Sequence, residues 1–142
     1  MPYRLTFRFI RKASTVTLKE IITLYRVQGW WNRCDKPELL PRLIKGSHCF
    51  MVAEREGRVI GMGRAISDGA GDAYIQDVTV LKSERGTGAG SAIVKAITRR
   101  LKTDGIKWIG LIAQDNSSAF YSRLGFKLIK RARPMLSKGS NV

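Results

Sequence analysis

Cysteine, histidine and proline are scarce in this chain, which holds two, one and four of them among its 142 residues. The cysteines, Cys34 and Cys49, show no CxxC or other metal-ligand spacing, so the sequence predicts free thiols, buried or partly buried, and no metal site. The single His48 precedes Cys49 at the start of a predicted strand. Neighbouring side chains of a strand point to opposite faces, which argues against a Cys–His catalytic pair.

Long apolar runs are also missing, and their absence predicts that no helix of this chain spans a membrane. Residues 3–10 alternate apolar side chains with Arg and Thr and lack the apolar block of a signal peptide. We therefore expect a cytoplasmic protein. Apolar residues make up 44% of the chain and charged residues 26%, which is typical of one globular domain with a hydrophobic core.

Acidic residues are few, because only 11 Asp and Glu accompany 26 Lys and Arg, and the net charge is +15. Such a charge attracts polyanions: nucleic acid, acidic proteins or a small ligand with several phosphates. No aromatic-rich RNA-binding signature accompanies the cations, so a nucleic-acid partner stays an alternative that the sequence does not favour. A solvated surface explains most of the basic residues.

Hydrophobic periodicity predicts the element order β-α-α-β-β-β-α-β-α-β. The strands fall at residues 3–9, 49–53, 58–66, 74–81, 107–113 and 126–129, and Glu56-Gly57 is a hairpin turn. The helices begin at a Thr17-x-x-Glu20 capping box, near Lys36, at Ala89 and after Asp115 or Asn116. The pattern indicates an α/β (α+β) fold with a mixed, mostly antiparallel sheet of about six strands flanked by about four helices. We expect one domain over residues 1–142, with a core at about 3–132 and a loose tail at about 134–142.

Three glycines, Gly86, Gly88 and Gly90, lie within five residues between a predicted strand and a predicted helix. Glycine lets the main chain approach a ligand closely, and a helix start offers unpaired N–H groups and the positive end of its dipole. These are the ingredients of a phosphate cradle. No Lys-Ser or Lys-Thr follows, as a Walker A loop requires, and the GxGxG spacing differs from the Rossmann GxGxxG. A turn for tight strand–helix packing would explain one glycine but not three.

Two motifs identify a family. The segment Arg85-Gly-Thr-Gly-Ala-Gly90 fits the pattern Q/R-x-x-G-x-G/A, and about thirty residues later the segment from Asn116 to Phe126 fits N-x-x-A-x-x-x-x-x-G-F with a tyrosine inside it. At this separation they closely resemble the GNAT superfamily of acyl-CoA-dependent N-acetyltransferases. The resemblance covers residues 48–132 well, and the element order extends it over the whole domain.

The resemblance implies acetyl-CoA as the cofactor, with its pyrophosphate on the backbone amides of the glycine loop. The loop residues would be Arg85, Gly86, Thr87, Gly88, Ala89, Gly90 and Ser91. It also implies that the preceding strand splays from its neighbour to form a cleft, where backbone groups of Val78 and Val80 would pair with the pantetheine arm. Asn116 would either bind that arm or only cap its helix.

The resemblance further implies that an amine attacks acetyl-CoA directly within a ternary complex. Tyr121 is the candidate general acid for the leaving thiolate, and a packing role is its alternative. Asp77 on the splayed strand is the candidate base. The other carboxylates near the expected cleft are Glu54, Asp68 and Asp72. His48 acting through water, or a water chain without any dedicated base, is the remaining alternative.

Acceptor selection is expected from the loop after the first helix and from a turn between strands. The candidate acceptor-binding residues are Tyr25, Trp30, Trp31 and Asp68. Asp68 either pairs with a cationic amine or only shapes its turn. The compact chain favours a small-molecule amine. A protein amine, an aminoacyl-tRNA amine and a non-catalytic CoA-binding module are the alternatives, and the sequence leaves a homodimer open.

Overall fold

The computed structural model describes residues 4–140, so Tyr3 of the predicted first strand lies outside the described residues. The chain forms two compact units, which we call the sheet unit (up to Leu111) and the C-terminal unit (from Ile112). In residues 4–140 no helix combines the length and the apolar composition that crossing a membrane requires.

One sheet with the strand order β1-β2-β3-β4-β5 organises the sheet unit. Its five strands, counted within residues 4–140, are β1 (Leu5–Phe9), β2 (Cys49–Arg55), β3 (Arg58–Ser67), β4 (Asp72–Val80) and β5 (Trp108–Gly110). Neighbouring strands are antiparallel except β4 and β5, which are parallel. The helices are α1 (Thr15–Val27), α2 (Leu39–Gly46) and α3 (Ala89–Thr103), and the C-terminal unit contains α4 (Ser118–Ser122). The mixed, mostly antiparallel sheet is confirmed.

The predicted sixth strand, at residues 126–129, is wrong: the structure assigns no strand there among the residues it describes. Its apolar side chains are not buried, since Leu128 is 83% exposed and Ile129 is 61% exposed. Alternating apolar residues stabilise a strand only where one face is covered, and this segment lacks that cover. Residues 134–140 also lie outside helices and strands and are exposed, and the last two residues of the predicted tail, 141 and 142, lie outside the described residues.

Three predicted helix starts are displaced, those of α1, α4 and α2. The cap of α1 is Ser14, whose hydroxyl accepts the backbone N–H of Thr17 at 3.2 Å, so Thr17 lies in the first turn and is not the cap. The cap of α4 is Ser117. Asp115 and Asn116 both have positive φ, 52° and 62°, which is not the extended conformation typical of a cap.

Helix α2 begins at Leu39 rather than near Lys36. Pro41 is its third residue, and a proline is tolerated in a first turn because the N–H that it lacks has no partner within the helix there. Pro41 therefore restricts where α2 can begin, but it does not break the helix. The hairpin turn is confirmed, since Glu56 and Gly57 both have positive φ (54° and 74°), as a two-residue type I′ turn requires.

The hydrophobic core lies on both faces of the sheet. Helices α1 and α2 cover one face with a buried cluster that includes Ile21, Leu24, Leu40 and Ile44 packed with Phe50 of β2. On the other face α3 buries its apolar stripe, Ile93, Val94, Ile97 and Leu101.

Gly63 lets α3 approach β3 closely. A Cβ added there would lie 2.8 Å from Ile93 Cγ2, 3.1 Å from Ile97 Cδ1 and 3.2 Å from Val78 Cγ2. We expect Gly63→Ala to lower the free energy of unfolding by about 1–3 kcal/mol, because the extra methyl overpacks this contact. Urea denaturation measures the change. Gly46→Ala, at the end of α2 where nothing lies within 4 Å, is the control and should leave stability unchanged or slightly raised. Equal stability of both variants would contradict this packing.

Candidate functional site

The glycine loop runs from the end of β4 into α3. A short 3-10 helix, Lys82–Glu84, is followed by Gly86 and Gly88, whose φ angles are 81° and 85°. A Cβ at either position would meet nothing within 4 Å, so neither glycine is needed for packing. Both are needed for the backbone conformation, which other residues adopt at a cost. The loop is exposed, and at its two glycines no side chain covers the main chain.

The start of α3 adds the donors of this site. Gly88 is the N-cap and supplies no side-chain cap, so the N–H groups of the first turn, at Ala89, Gly90 and Ser91, have no partner inside the helix. The helix is 15 residues long and carries no acidic residue in its first turn. Free N–H groups and the positive end of the helix dipole together suit a phosphate group. The loop and this turn therefore fit the pyrophosphate of a coenzyme.

The pairing of β4 with β5 is short and stops before the loop. Their parallel pairing joins Asp72 to Trp108, Ala73 to Ile109 and Tyr74 to Gly110, and then ends. From Ile75 to Val80, β4 has no strand partner on that side among residues 4–140. Val78 and Val80 lie in this free stretch. Backbone N–H and C=O groups of an unpaired edge can bind an extended ligand as a further strand would.

A bulge at Asp77 interrupts β4 within the free stretch. Arg64 pairs with Gln76 but Met62 pairs with Thr79, so β4 has one extra residue opposite Gly63. Asp77 has a φ of 58°, an uncommon value for a residue other than glycine. Bulges of this kind redirect side chains and are frequent beside functional sites. The bulge therefore marks the middle of the free edge.

The carboxylate of Asp77 is held by two donors. Its Oδ2 accepts the Nε–H of Arg64 at 2.6 Å and the hydroxyl of Tyr25 at 2.8 Å. Arg64 also contacts the Ser47 hydroxyl at 3.4 Å. We call Tyr25, Arg64 and Asp77 the bulge triad, because they join α1, β3 and the bulge of β4.

The predicted aromatic residues surround the triad. Tyr25 stacks on Trp31 with ring centroids 4.9 Å apart and meets Trp30 edge-on at 6.1 Å. The backbone N–H groups of both tryptophans donate to the Tyr25 carbonyl. Tyr25 is only 2% exposed, so its ring supports the site rather than forming an open wall. Burial, followed by the nearby Asp77 charge, raises the pKa of Tyr25, and its hydroxyl stays a donor at neutral pH.

The remaining carboxylate candidates are engaged elsewhere or apart from the triad. Asp68 Oδ1 accepts the Ala70 N–H at 2.9 Å and so shapes its turn. Glu54 is paired with Arg8 at 2.5 Å. Asp72 is exposed at the start of β4. None of these three has a hydrogen bond to the triad in the described part of the chain.

Within residues 4–140 neither the cysteines nor the histidine form a hydrogen bond to the bulge triad. Burial raises the pKa of the Cys49 thiol to about 11, so it is protonated at neutral pH and unreactive. His48 Nε2 lies 2.8 Å from Asp104 Oδ2, so the histidine is paired with a carboxylate. The prediction of burial is wrong for Cys34, which is exposed because it lies in a turn where its N–H binds Asn32 Oδ1.

The C-terminal unit carries Tyr121 on α4. Its ring is partly buried between Phe120, with centroids 5.0 Å apart, and Phe126 at 5.9 Å. Burial raises the pKa of Tyr121 above its ordinary value of 10.0, so the phenol keeps its proton at neutral pH. Asn116 is exposed just before α4 and is not its cap. Gly125, with a φ of 95°, follows the helix as predicted.

Arg64 is the residue that the sequence analysis missed. It is the only charged residue in the interior of β3, whose other interior residues are apolar, glycine or alanine. A single cation inside a buried strand needs an anion, and Asp77 is the corresponding lone acid inside β4. The presence of one isolated cation and one isolated acid on adjacent predicted strands was the signal from which this ion pair could have been predicted.

Comparison with known proteins identifies relatives over most of the chain. The model of the acetyltransferase (GNAT) family matches residues 16–126. An N-acetyltransferase of Porphyra purpurea, described as uncharacterized, is 33% identical over 120 residues, which cover 83% of this chain and 69% of that protein. GCN5-related N-acetyltransferase 2, chloroplastic, of Arabidopsis thaliana is 40% identical over 74 residues, or 52% of this chain.

The chain spans only 29% of the length of that Arabidopsis relative. The solved structure of a GNAT family acetyltransferase from Streptococcus pneumoniae superposes with a TM-score of 0.80 over 97% of this chain and 100% of that one. Its sequence identity is 22%, so this similarity shows a common fold. Proteins of the matching family use acetyl-CoA, which the glycine loop and the free edge of β4 fit. The chain belongs to the GNAT family of acetyltransferases.

Proposed function

We propose that this chain transfers the acetyl group of acetyl-CoA to a primary amine of a small molecule, by direct attack in a ternary complex. One observation carries the proposal: two glycines with positive φ and open space above them lead into a 15-residue helix with no acid in its first turn. Two negatively charged phosphates need several N–H groups that bulky side chains do not obstruct, and the open glycines and the helix start support such a site here.

Residues 85–91 bind the pyrophosphate in this proposal. The N–H groups of Gly86 to Ser91 are the donors, and the exposed Arg85 adds positive charge beside them. Glu84, the nearest acid along the chain, is paired with Arg55 at 2.8 Å, which offsets its negative charge next to the loop. The loop therefore supports binding by backbone geometry and by charge together.

The free edge of β4 orients the pantetheine arm. Backbone groups near Val78 and Val80 bind it as a neighbouring strand would. A backbone N–H at the bulge polarises the thioester carbonyl, because a fixed dipole stabilises the negative charge that develops on that oxygen. When bound, acetyl-CoA supplies an activated acetyl group and a thiolate as leaving group.

Tyr121 supplies a proton in this scheme. The amine nitrogen forms an amide bond to the acetyl carbon, the carbon–sulfur bond breaks, and the Tyr121 hydroxyl gives its proton to the departing sulfur. The proton that the amine loses passes to solvent water, and solvent water returns a proton to the Tyr121 oxygen. Asp77 accepts two hydrogen bonds already, so we assign it to positioning the bulge and not to proton abstraction. Asn116 remains a candidate for binding the cofactor arm.

The pyrophosphate site can be tested with one glycine variant and a matched control. Gly88→Glu should weaken acetyl-CoA binding at least a hundredfold, because it places a side chain and a negative charge against the phosphates. Calorimetric titration measures the Kd. Gly105→Glu adds the same charge at another glycine of positive φ (86°) with open space, beyond the other end of α3, and should bind normally. Failure of the unaltered protein to bind acetyl-CoA would overturn the proposed function.

Tyr121→Phe removes only the hydroxyl. We expect kcat to fall about a hundredfold with an unchanged Kd for acetyl-CoA, because the variant keeps the ring packing and loses the proton donor. Burial raises the pKa of Tyr121, so unaltered enzyme should show no loss of kcat from its ionisation between pH 7 and pH 9. Steady-state kinetics over that range measures both effects. An unchanged kcat in the variant would assign Tyr121 to packing alone.

Asp77→Asn separates positioning from base catalysis. A positioning role predicts a loss of kcat below about tenfold and an acid limb of the pH–rate profile that stays in place. A general base would instead lose about a hundredfold or more, together with that limb. The kcat/KM profile between pH 5 and pH 9 measures the difference, and circular dichroism checks that the variant folds. Loss of the acid limb from the pH–rate profile of Asp77→Asn would show that Asp77 acts as the general base.

A further inference from the structure

An open groove of about 390 Å³ lies between α2 and β3 in the sheet unit. We call it the acceptor groove; its lining residues are Leu39, Arg42, Leu43, Gly46, Arg64 and Ile66. Arg64 belongs to the bulge triad, so the groove reaches the side chain that pairs with Asp77 of β4. A molecule in the groove would thus lie next to the strand that we assign to the cofactor arm.

Exposed apolar side chains continue one side of the groove. Ile66 lies directly opposite Tyr74 in the β3–β4 pairing, so both side chains are on the same face of the sheet. Tyr74 contacts Trp108 with ring centroids 5.2 Å apart, and these rings are 47% and 42% exposed. An exposed patch of this kind next to a groove is typical of a ligand-binding surface.

Trp108 is fitted to this position by a glycine. A Cβ added at Gly110 would lie 2.5 Å from Trp108 Cη2 and 2.6 Å from Cζ3, so the indole lies directly over Gly110. The two residues are neighbours on one face of β5. The rings of Tyr74 and Trp108 beside the groove are therefore packed against the sheet and each other and are not two separate surface side chains.

The groove also carries an unbalanced positive charge. Arg64 is neutralised by Asp77 at 2.6 Å. Arg42 is exposed and has no ion pair or hydrogen bond within residues 4–140, although Glu38 lies one helical turn before it. An arginine that lines a groove without a partner suits a carboxylate, which it can bind through two parallel N–H groups.

From these features we infer that the acceptor is an amine that also carries a carboxylate and an apolar side group, as an aromatic or aliphatic amino acid does. Arg42 binds the carboxylate. Ile66, Tyr74 and Trp108 contact the apolar group, and the amine is directed toward the edge of β4. This inference rests on the proposed function and deepens it, since the reaction is the same acetyl transfer. An amine without the carboxylate would leave Arg42 unpaired.

The test compares substrates that differ only in the carboxylate. L-Phenylalanine and L-tryptophan are assayed against phenethylamine and tryptamine, with release of free CoA thiol as the readout. The ratio of kcat/KM between each amino acid and its decarboxylated amine is measured in the unaltered protein and in Arg42→Gln. Dividing one ratio by the other cancels the different pKa values of the amines. Lys45→Gln, on the same helix but outside the groove, is the control for a general loss of charge.

We expect the ratio to fall about tenfold in Arg42→Gln and to stay unchanged in Lys45→Gln, as removal of one charge-assisted bidentate contact requires. Equal ratios in all three proteins would overturn the inference, as would turnover of only the decarboxylated amines. If the protein binds acetyl-CoA but acetylates none of these amino acids, the inference also fails while the cofactor site stands. Absence of acetyl-CoA binding would instead overturn the proposed function itself.

Discussion

The ion pair between Arg64 and Asp77 is the contact on which the arrangement of the site depends. It fixes a bulge in β4 that has a residue other than glycine at a φ of 58°, a conformation that needs support from its surroundings. The Tyr25 hydroxyl adds α1 to the same carboxylate oxygen. Near the C-terminal end of α1, Gln28 Nε2 donates to Thr79 Oγ1 at 2.6 Å, on the other side of the bulge. Helix α1 is thus attached to β4 both at Asp77 and at Thr79.

The pairing of Arg64 with Asp77 explains how two charged side chains can lie close to the hydrophobic core. Removing one partner of a partly buried ion pair leaves the other charge poorly solvated, which costs more than the pair itself contributes. In the bulge triad that penalty would fall on the strand that we assign to the cofactor arm. The aromatic rings of Trp30 and Trp31 around Tyr25 keep the position of its hydroxyl well defined. Packing and electrostatics therefore constrain the same few atoms.

Local patterns in the sequence predicted much of the fold, and they failed where tertiary cover decides. A short apolar run located β2, alternation located β4, and the Glu56-Gly57 pair located the hairpin that joins β2 to β3, since these signals are local. Residues 126–129 alternate equally well but are not covered, so no strand forms. The glycine loop was predictable because the spacing of its glycines along the sequence follows directly from the backbone conformation that the loop adopts. Arg64 was not found, because its partner is distant in sequence and meets it only through strand register.

The unpaired edge of β4 has a second physical consequence. An exposed strand edge can pair with another chain, and proteins normally block such edges with charges, bulges or covering segments. Here the stretch from Ile75 to Val80 carries one bulge and one acidic residue. A ligand that occupies this edge also blocks it, and binding to the native state alone favours that state by mass action. A donor bound at this edge, as we propose, would therefore also favour the folded, monodisperse protein.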